Sequence, residues 1–140
     1  MNSRETGDKV NVFIDGASRG NPGPAGVGVV IFDGEGNVLE EGFRFLGERT
    51  NNQAEYEALI LGLKKVREIG SPRVKIHSDS ELLVKQMRGE FRIKNEGLKP
   101  LFQKAADLFD TIPDVEIVHI PRDQNKRADQ LANFSIDRNT

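Results

Sequence analysis

Apolar and polar positions change period several times along the chain. Lys9–Asp15 (KVNVFID) alternates in steps of two and is rich in β-formers, which predicts a strand. Gly26–Asp33 (GVGVVIFD) predicts a second strand and Val38–Leu46 a third, joined by a hairpin turn at Gly34-Glu35-Gly36-Asn37. The period then lengthens. Ala58, Leu59, Gly62, Leu63, Val66 and Ile69 recur at helical spacing behind Asn51 or Asn52 as N-cap, and Gly70-Ser71-Pro72 ends that helix. Arg73–Ser78 predicts a fourth strand and Ser80–Arg88 a short helix, followed by an irregular basic connection over Gly89–Asn95. Glu96–Phe109 predicts a helix that Pro100 either breaks or offsets or joins in its first turn, Val115–Ile120 a fifth strand, and Asn125–Ile136 a last helix.

That order, βββαβααβα, implies an antiparallel meander extended by parallel strands through right-handed crossovers. The expected class is α/β: a five-stranded mixed sheet with helices on both faces. A chain of 140 residues suits one such domain, expected over residues 9–137, with polar tails at 1–8 and 138–140.

Composition narrows the function classes. No apolar run approaches the ~20 residues of a membrane helix, and the first nine residues are too polar for a secretory signal, so a cytoplasmic location is expected. Cysteine is absent, which excludes disulfides and thiolate metal sites. Net charge is only -2, but it is unevenly placed: Leu63–Lys104 carries eleven Lys/Arg against five Asp/Glu. Such a stretch is either a set of solvated helix faces or a basic platform beside an acidic centre.

The small residues of Gly16–Gly28 suggest a phosphate cradle, and the motif tests reject it. No P-loop pattern is present, and Gly26-Val27-Gly28 opens a strand rather than a helix. The run reads as a wide turn in which Asn21-Pro22-Gly23 reverses the chain and the glycines take positive φ. That leaves Asp15 unexplained at the end of a buried strand.

Three further carboxylates share its peculiarity. Asp79 follows the fourth strand, so its carboxyl lies beside Asp15 if the two strands are parallel neighbours. Glu55 falls on the apolar stripe of the first helix, and Asp129 flanks the stripe Ala128, Leu131, Ala132, Ser135 of the last. Each has a simpler use alone: an Asx turn for Asp15, a capping box Asn52-x-x-Glu55, an N-cap at Asp79, a solvated helix position for Asp129. Together, four acids at converging ends would repel one another without a hard divalent cation, and oxygen-only ligation suits Mg²⁺ or Mn²⁺ rather than zinc.

The stretches FIDGASRGNPGPAG, TNNQAEYEALILGL, IHSDSELLVKQM, FRIKNEGLKPL and NKRADQLA resemble type 1 ribonuclease H over residues 9–137. The resemblance implies the ribonuclease H-like fold and endonucleolytic hydrolysis of the RNA strand of RNA–DNA hybrids, leaving 5′-phosphate and 3′-hydroxyl ends. It implies two Mg²⁺ ions, with Mn²⁺ as substitute, held by Asp15, Glu55, Asp79 and Asp129, with Asp15 bridging both. Asn21, Asn51 and Asn52 would contact the minor groove and strand backbones. Gly16 and Ser18 would lie along the RNA, where the 2′-hydroxyl distinguishes it from DNA. Thr50, Lys94 and Asn95 would hold DNA-strand phosphates, and Arg88 and Arg92 would add salt-sensitive contacts. Two features depart from many members. The stretch Pro121–Arg127 has no histidine, so the chain resembles the short-loop variant of archaeal and some bacterial relatives, and the long basic protrusion is replaced by Arg88–Lys99. His77 and His119 read as structural. The enzyme is expected to act as a monomer. Alternatives on the same fold are a nuclease for double-stranded RNA or branched DNA and a non-catalytic hybrid-binding module.

Overall fold

Five strands form one sheet in the order β3-β2-β1-β4-β5: β1 Val10–Ser18, β2 Gly23–Phe32, β3 Val38–Arg49, β4 Arg73–Ser78 and β5 Asp114–His119. The computed structural model describes residues 9–140; the tail expected at 1–8 lies outside the described residues. β1, β2 and β3 pair antiparallel, while β1–β4 and β4–β5 are parallel, as the element order predicts. Four helices complete the fold: α1 Asn51–Ile69, α2 Glu81–Met87, α3 Lys99–Phe109 and α4 Lys126–Asp137. A 3-10 turn over Arg122–Gln124, absent from the sequence expectations, leads into α4.

Alternation decides the faces. Val10, Val12 and Ile14 of β1 lie beside Val27, Val29 and Ile31 of β2 and are fully or almost fully buried with Leu59, Leu63 and Val66 of α1. On the other face, Gly26 and Gly28 of β2 face α4, whose Ala128, Leu131, Ala132, Ser135 and Ile136 are buried. Among the described residues no helix is long and apolar enough to cross a membrane.

The glycine-rich run differs from its expected form. β1 and β2 extend through most of it, so the reversal is tighter, over Arg19–Pro22, and only Gly20 of that run has positive φ. The glycines inside the strands are there for close approach. A Cβ at Gly16 would stand 2.3 Å from the Ala54 carbonyl of α1, and one at Gly28 would stand 2.1 Å from the Ala128 carbonyl of α4. Backbone atoms cannot turn aside as a side chain can, so both helices sit this near the sheet only because these positions lack side chains.

The start of α1 is also corrected. Thr50, not an asparagine, is the N-cap, and it forms a capping box with Gln53: Gln53 N donates to Thr50 Oγ1 at 3.1 Å, and Thr50 N donates to Gln53 Oε1 at 2.9 Å. Asn51, Asn52 and Glu55 are thereby released from capping. Ser80 likewise caps α2, accepting from Leu83 N at 3.2 Å, which leaves the Asp79 carboxylate available.

Candidate active site

Parallel pairing places Ile14 opposite Ser78, so the chain delivers Asp15 and Asp79 side by side at the carboxyl ends of β1 and β4. The close approach at Gly16 brings the first turns of α1 against the same point, and Gly16 N donates to Glu55 Oε1 at 2.7 Å. One carboxylate oxygen from each of Asp15, Glu55 and Asp79 lies within 4.8 Å of the others. Asp129 joins from α4. Asp15 pairs across the sheet with Gly28, over which α4 passes, and Asp129 lies near enough on α4 for its carboxyl to help raise that of Asp15. The structure therefore brings Asp15, Glu55 and Asp79 together, with Asp129 beside Asp15 and outside that close group.

Their electrostatics follow from crowding. Asp15 is 5% exposed, and burial, then the charges of Glu55 and Asp79, then the contact with Asp129, push its carboxyl from 3.8 up to about 9. Glu55 keeps part of its surface open, but burial of its carboxyl raises it to about 8. The Gly16 amide opposes that rise, Asp79 adds to it, and the nearby Arg122 guanidinium opposes it again. Without a cation, the centre holds protons at neutral pH that ordinary carboxyls would release. A set of oxygen donors that resists ionising until positive charge arrives fits a hard divalent ion, and Asp15, Glu55 and Asp79 could hold one.

Polar side chains that sequence reasoning passed over hold the acids in place. Asn125, taken only as the start of the last helix, is 1% exposed. Its Nδ2 donates to Asp79 Oδ2 at 3.0 Å and to the Ile14 carbonyl at 2.8 Å, tying β1, β4 and the approach to α4 together. The two acceptors fix the amide's orientation, leaving Oδ1 buried with no donor. Asn133, one turn beyond Asp129, donates from Nδ2 to its Oδ1 at 3.1 Å. Local spacing hints at the second pair; nothing local signals the first.

The predicted substrate contacts divide into two groups. Ser18, Asn21 and Asn51 are joined to one another: Ser18 N donates to Asn51 Oδ1 at 3.1 Å, and Asn51 N to Asn21 Oδ1 at 3.1 Å. Ser18 Oγ also donates to the Gly20 carbonyl and, at 2.8 Å, to that of Arg49. These bonds seat the β1–β2 turn against the start of α1, beside exposed Asn52 and the capping Thr50. Arg92, Lys94 and Asn95 are exposed on the connection between α2 and α3, and Asn95 Oδ1 accepts from Gly97 N at 2.7 Å. Arg88 is placed differently: its Nε donates to the Ile117 carbonyl of β5 at 3.0 Å. His77 stacks on Phe13 at 4.2 Å and meets Asn11 Oδ1 at 3.1 Å, a structural position, while His119 is exposed at the end of β5.

Comparison with known proteins places the fold in a family. The family model described as reverse transcriptase-like matches residues 13–135. The chain is 41% identical over 133 residues to the ribonuclease HI of Halobacterium salinarum, covering 95% of this chain and 67% of that protein. It is 39% identical over 130 residues to a bifunctional protein of Mycobacterium tuberculosis, of whose length it spans only 36%. The crystal structure of LC11-RNase H1 in complex with RNA/DNA hybrid superposes with a TM-score of 0.88 at 45% identity, covering 93% of this chain and 98% of that one. Identity at this level, over nearly the whole chain and on the same fold, makes this protein a member of the ribonuclease HI family.

Proposed function

We propose that residues 9–137 form a divalent-metal-dependent endonuclease that hydrolyses the RNA strand of RNA–DNA hybrids, leaving 5′-phosphate and 3′-hydroxyl ends. One observation carries the reading: the carboxylates of Asp15, Glu55 and Asp79 crowd to within 4.8 Å of one another, with Asp129 alongside Asp15. A fold gains nothing from such crowding, whereas a site for cations needs it. The names of the relatives, and the hybrid bound by LC11-RNase H1, supply the substrate class.

In this reading Asp15, Glu55, Asp79 and Asp129 hold two Mg²⁺ ions, for which Mn²⁺ can substitute. A pair of divalent ions supplies an ionised water and neutralises charge on the leaving 3′ oxygen. The protein's residues do the rest. Asp15, whose carboxyl feels the charge of all three other acids, would be shared between the ions. Asn125 fixes the Asp79 carboxylate, and Asn133 fixes that of Asp129. Asp15 and Glu55, whose carboxyls burial pushes up, would ionise once a cation is bound. Gly16 and Ser18 would line the RNA strand, Asn21, Asn51 and Asn52 the minor groove and strand backbones, and Thr50, Lys94 and Asn95 the DNA-strand phosphates, with Arg88 and Arg92 adding salt-sensitive contacts. The molecule acts as a monomer in the cytoplasm.

The test uses hybrid, duplex RNA, duplex DNA and branched DNA, each labelled on one strand, with EDTA, Mg²⁺ or Mn²⁺. Internal cuts in the RNA of the hybrid, dependent on metal and lost in Asp79→Asn, are expected. Cutting confined to another substrate, or hybrid binding without cleavage under every metal, would replace the proposal with one of its alternatives.

A further inference from the structure

Between Phe91 and Asn95 the chain belongs to no helix or strand, yet it carries Arg92 and Lys94, both exposed and both assigned to the substrate by the proposed function. The turn before it is well bonded: Glu90 N and Phe91 N both donate to the Lys85 carbonyl, at 2.8 and 3.2 Å. Beyond that turn, the backbone of Arg92, Ile93 and Lys94 makes a single hydrogen bond among the described residues. Gln86 Nε2 donates to the Arg92 carbonyl at 3.4 Å. The other end of the same amide is held from α1, where Tyr56 Oη donates to Gln86 Oε1 at 2.6 Å. Tyr56 and Gln86 are 1% and 5% exposed, set among the apolar side chains of α1 and α2.

Apolar side chains of the same volume would fill this space without needing partners, so packing alone does not call for the pair. What the pair adds is register. Tyr56 follows Glu55 directly on α1, so Tyr56–Gln86–Arg92 links the helix bearing a metal-site acid to the basic segment. Further along, Gly97 lies beside Gln53, two residues before Glu55, so the segment returns to the same end of α1.

We infer that Gln86 is a positioning residue for the substrate: through Tyr56 and the Arg92 carbonyl it sets the distance between the acidic centre and the phosphate contacts of Arg92 and Lys94. This rests on the hybrid-nuclease reading and deepens it. No contact of Gln86 with substrate or metal is implied.

Two variants test it, Gln86→Met and the double variant Tyr56→Phe/Gln86→Met, which removes both polar partners while conserving volume. Steady-state cleavage of a hybrid is expected to show KM raised about 5- to 10-fold with kcat within about twofold, because the segment loses its register while the acids do not move. Hybrid affinity in EDTA, measured against salt concentration, should lose about one phosphate's worth of slope, close to 0.9 in log K against log[salt]. A purely structural role would move neither the KM-to-kcat split nor the slope. Unchanged KM and slope in the folded double variant would overturn the inference. A double variant that fails to fold would also overturn it, by assigning the pair to stability. If the wild-type chain neither binds nor cuts hybrid, the functional reading itself fails, which is a separate outcome.

Discussion

Replacing Asp15 by asparagine should stabilise the metal-free protein while abolishing hydrolysis. The native site raises the Asp15 carboxyl from 3.8 to about 9, chiefly by burial and by the neighbouring acids. Between those values the folded state binds a proton that the unfolded chain has released, so stability is greatest near pH 4 and falls as pH rises. At pH 7 about three pH units of that window have been crossed, and at ~1.36 kcal/mol per unit the ceiling on destabilisation is about 4 kcal/mol. The four acids titrate as a group and share the effect, so we expect Asp15→Asn to recover about 1–2 kcal/mol at pH 7. For a domain of this size that is roughly 4–8 °C in Tm. The assay is thermal or urea unfolding of both proteins in EDTA from pH 5 to 9, repeated with Mg²⁺. Wild type should lose stability with rising pH, the variant should lose less, and Mg²⁺ should restore the wild type alone. Equal, pH-independent stabilities in EDTA would refute the argument that the acids are mutually strained.

Two other substitutions probe how the site is held. Asn125→Ala removes the donors to Asp79 and to the Ile14 carbonyl, and should cost about 1–3 kcal/mol of stability in an unfolding titration. It should also lower metal affinity or kcat by about 10- to 100-fold, the usual effect of losing a partner that orients a ligand. Gly28→Ala would set a Cβ against the Ala128 carbonyl and the Ala132 amide, at 2.1 and 2.8 Å, forcing α4 and Asp129 outward. We expect about 1–3 kcal/mol of destabilisation with a fall in kcat, whereas Gly36→Ala, which meets nothing within 4 Å, should lose only the preference of its positive φ, about 1 kcal/mol, and keep full activity. Calorimetry and hybrid cleavage on the pair separate the two causes.

The order of elements was legible in the chain itself. Strand and helix leave different periods in the apolar residues, and those periods reflect local backbone geometry and one-sided burial. The antiparallel-then-parallel sheet followed from connection length, since a short turn returns the chain beside itself and a helix carries it across. The crowding of Asp15, Glu55 and Asp79 was legible too, because a carboxylate at the end of a buried strand, or on the apolar stripe of a helix, is costly without a purpose. Capping was misread for a simple reason: Thr50, Asn51 and Asn52 are all competent caps, and tertiary seating of α1 decides which residue takes the extended conformation.

Only the tertiary structure decided what the glycines are for. From the sequence alone, Gly16–Gly28 is a permissive turn. In the fold, Gly16 and Gly28 are strand positions whose missing side chains admit α1 and α4. A glycine's role there is defined by the backbone lying against it, and that backbone comes from elsewhere in the chain. Asn125 was invisible for the same reason, since its partners lie 46 and 111 residues away, at Asp79 and Ile14. Periodicity reports which side of an element is buried. How near two elements come, and which buried amide then holds which carboxylate, depends on the packed fold. Those distances bring Asp15, Glu55 and Asp79, far apart in the chain, into one cluster.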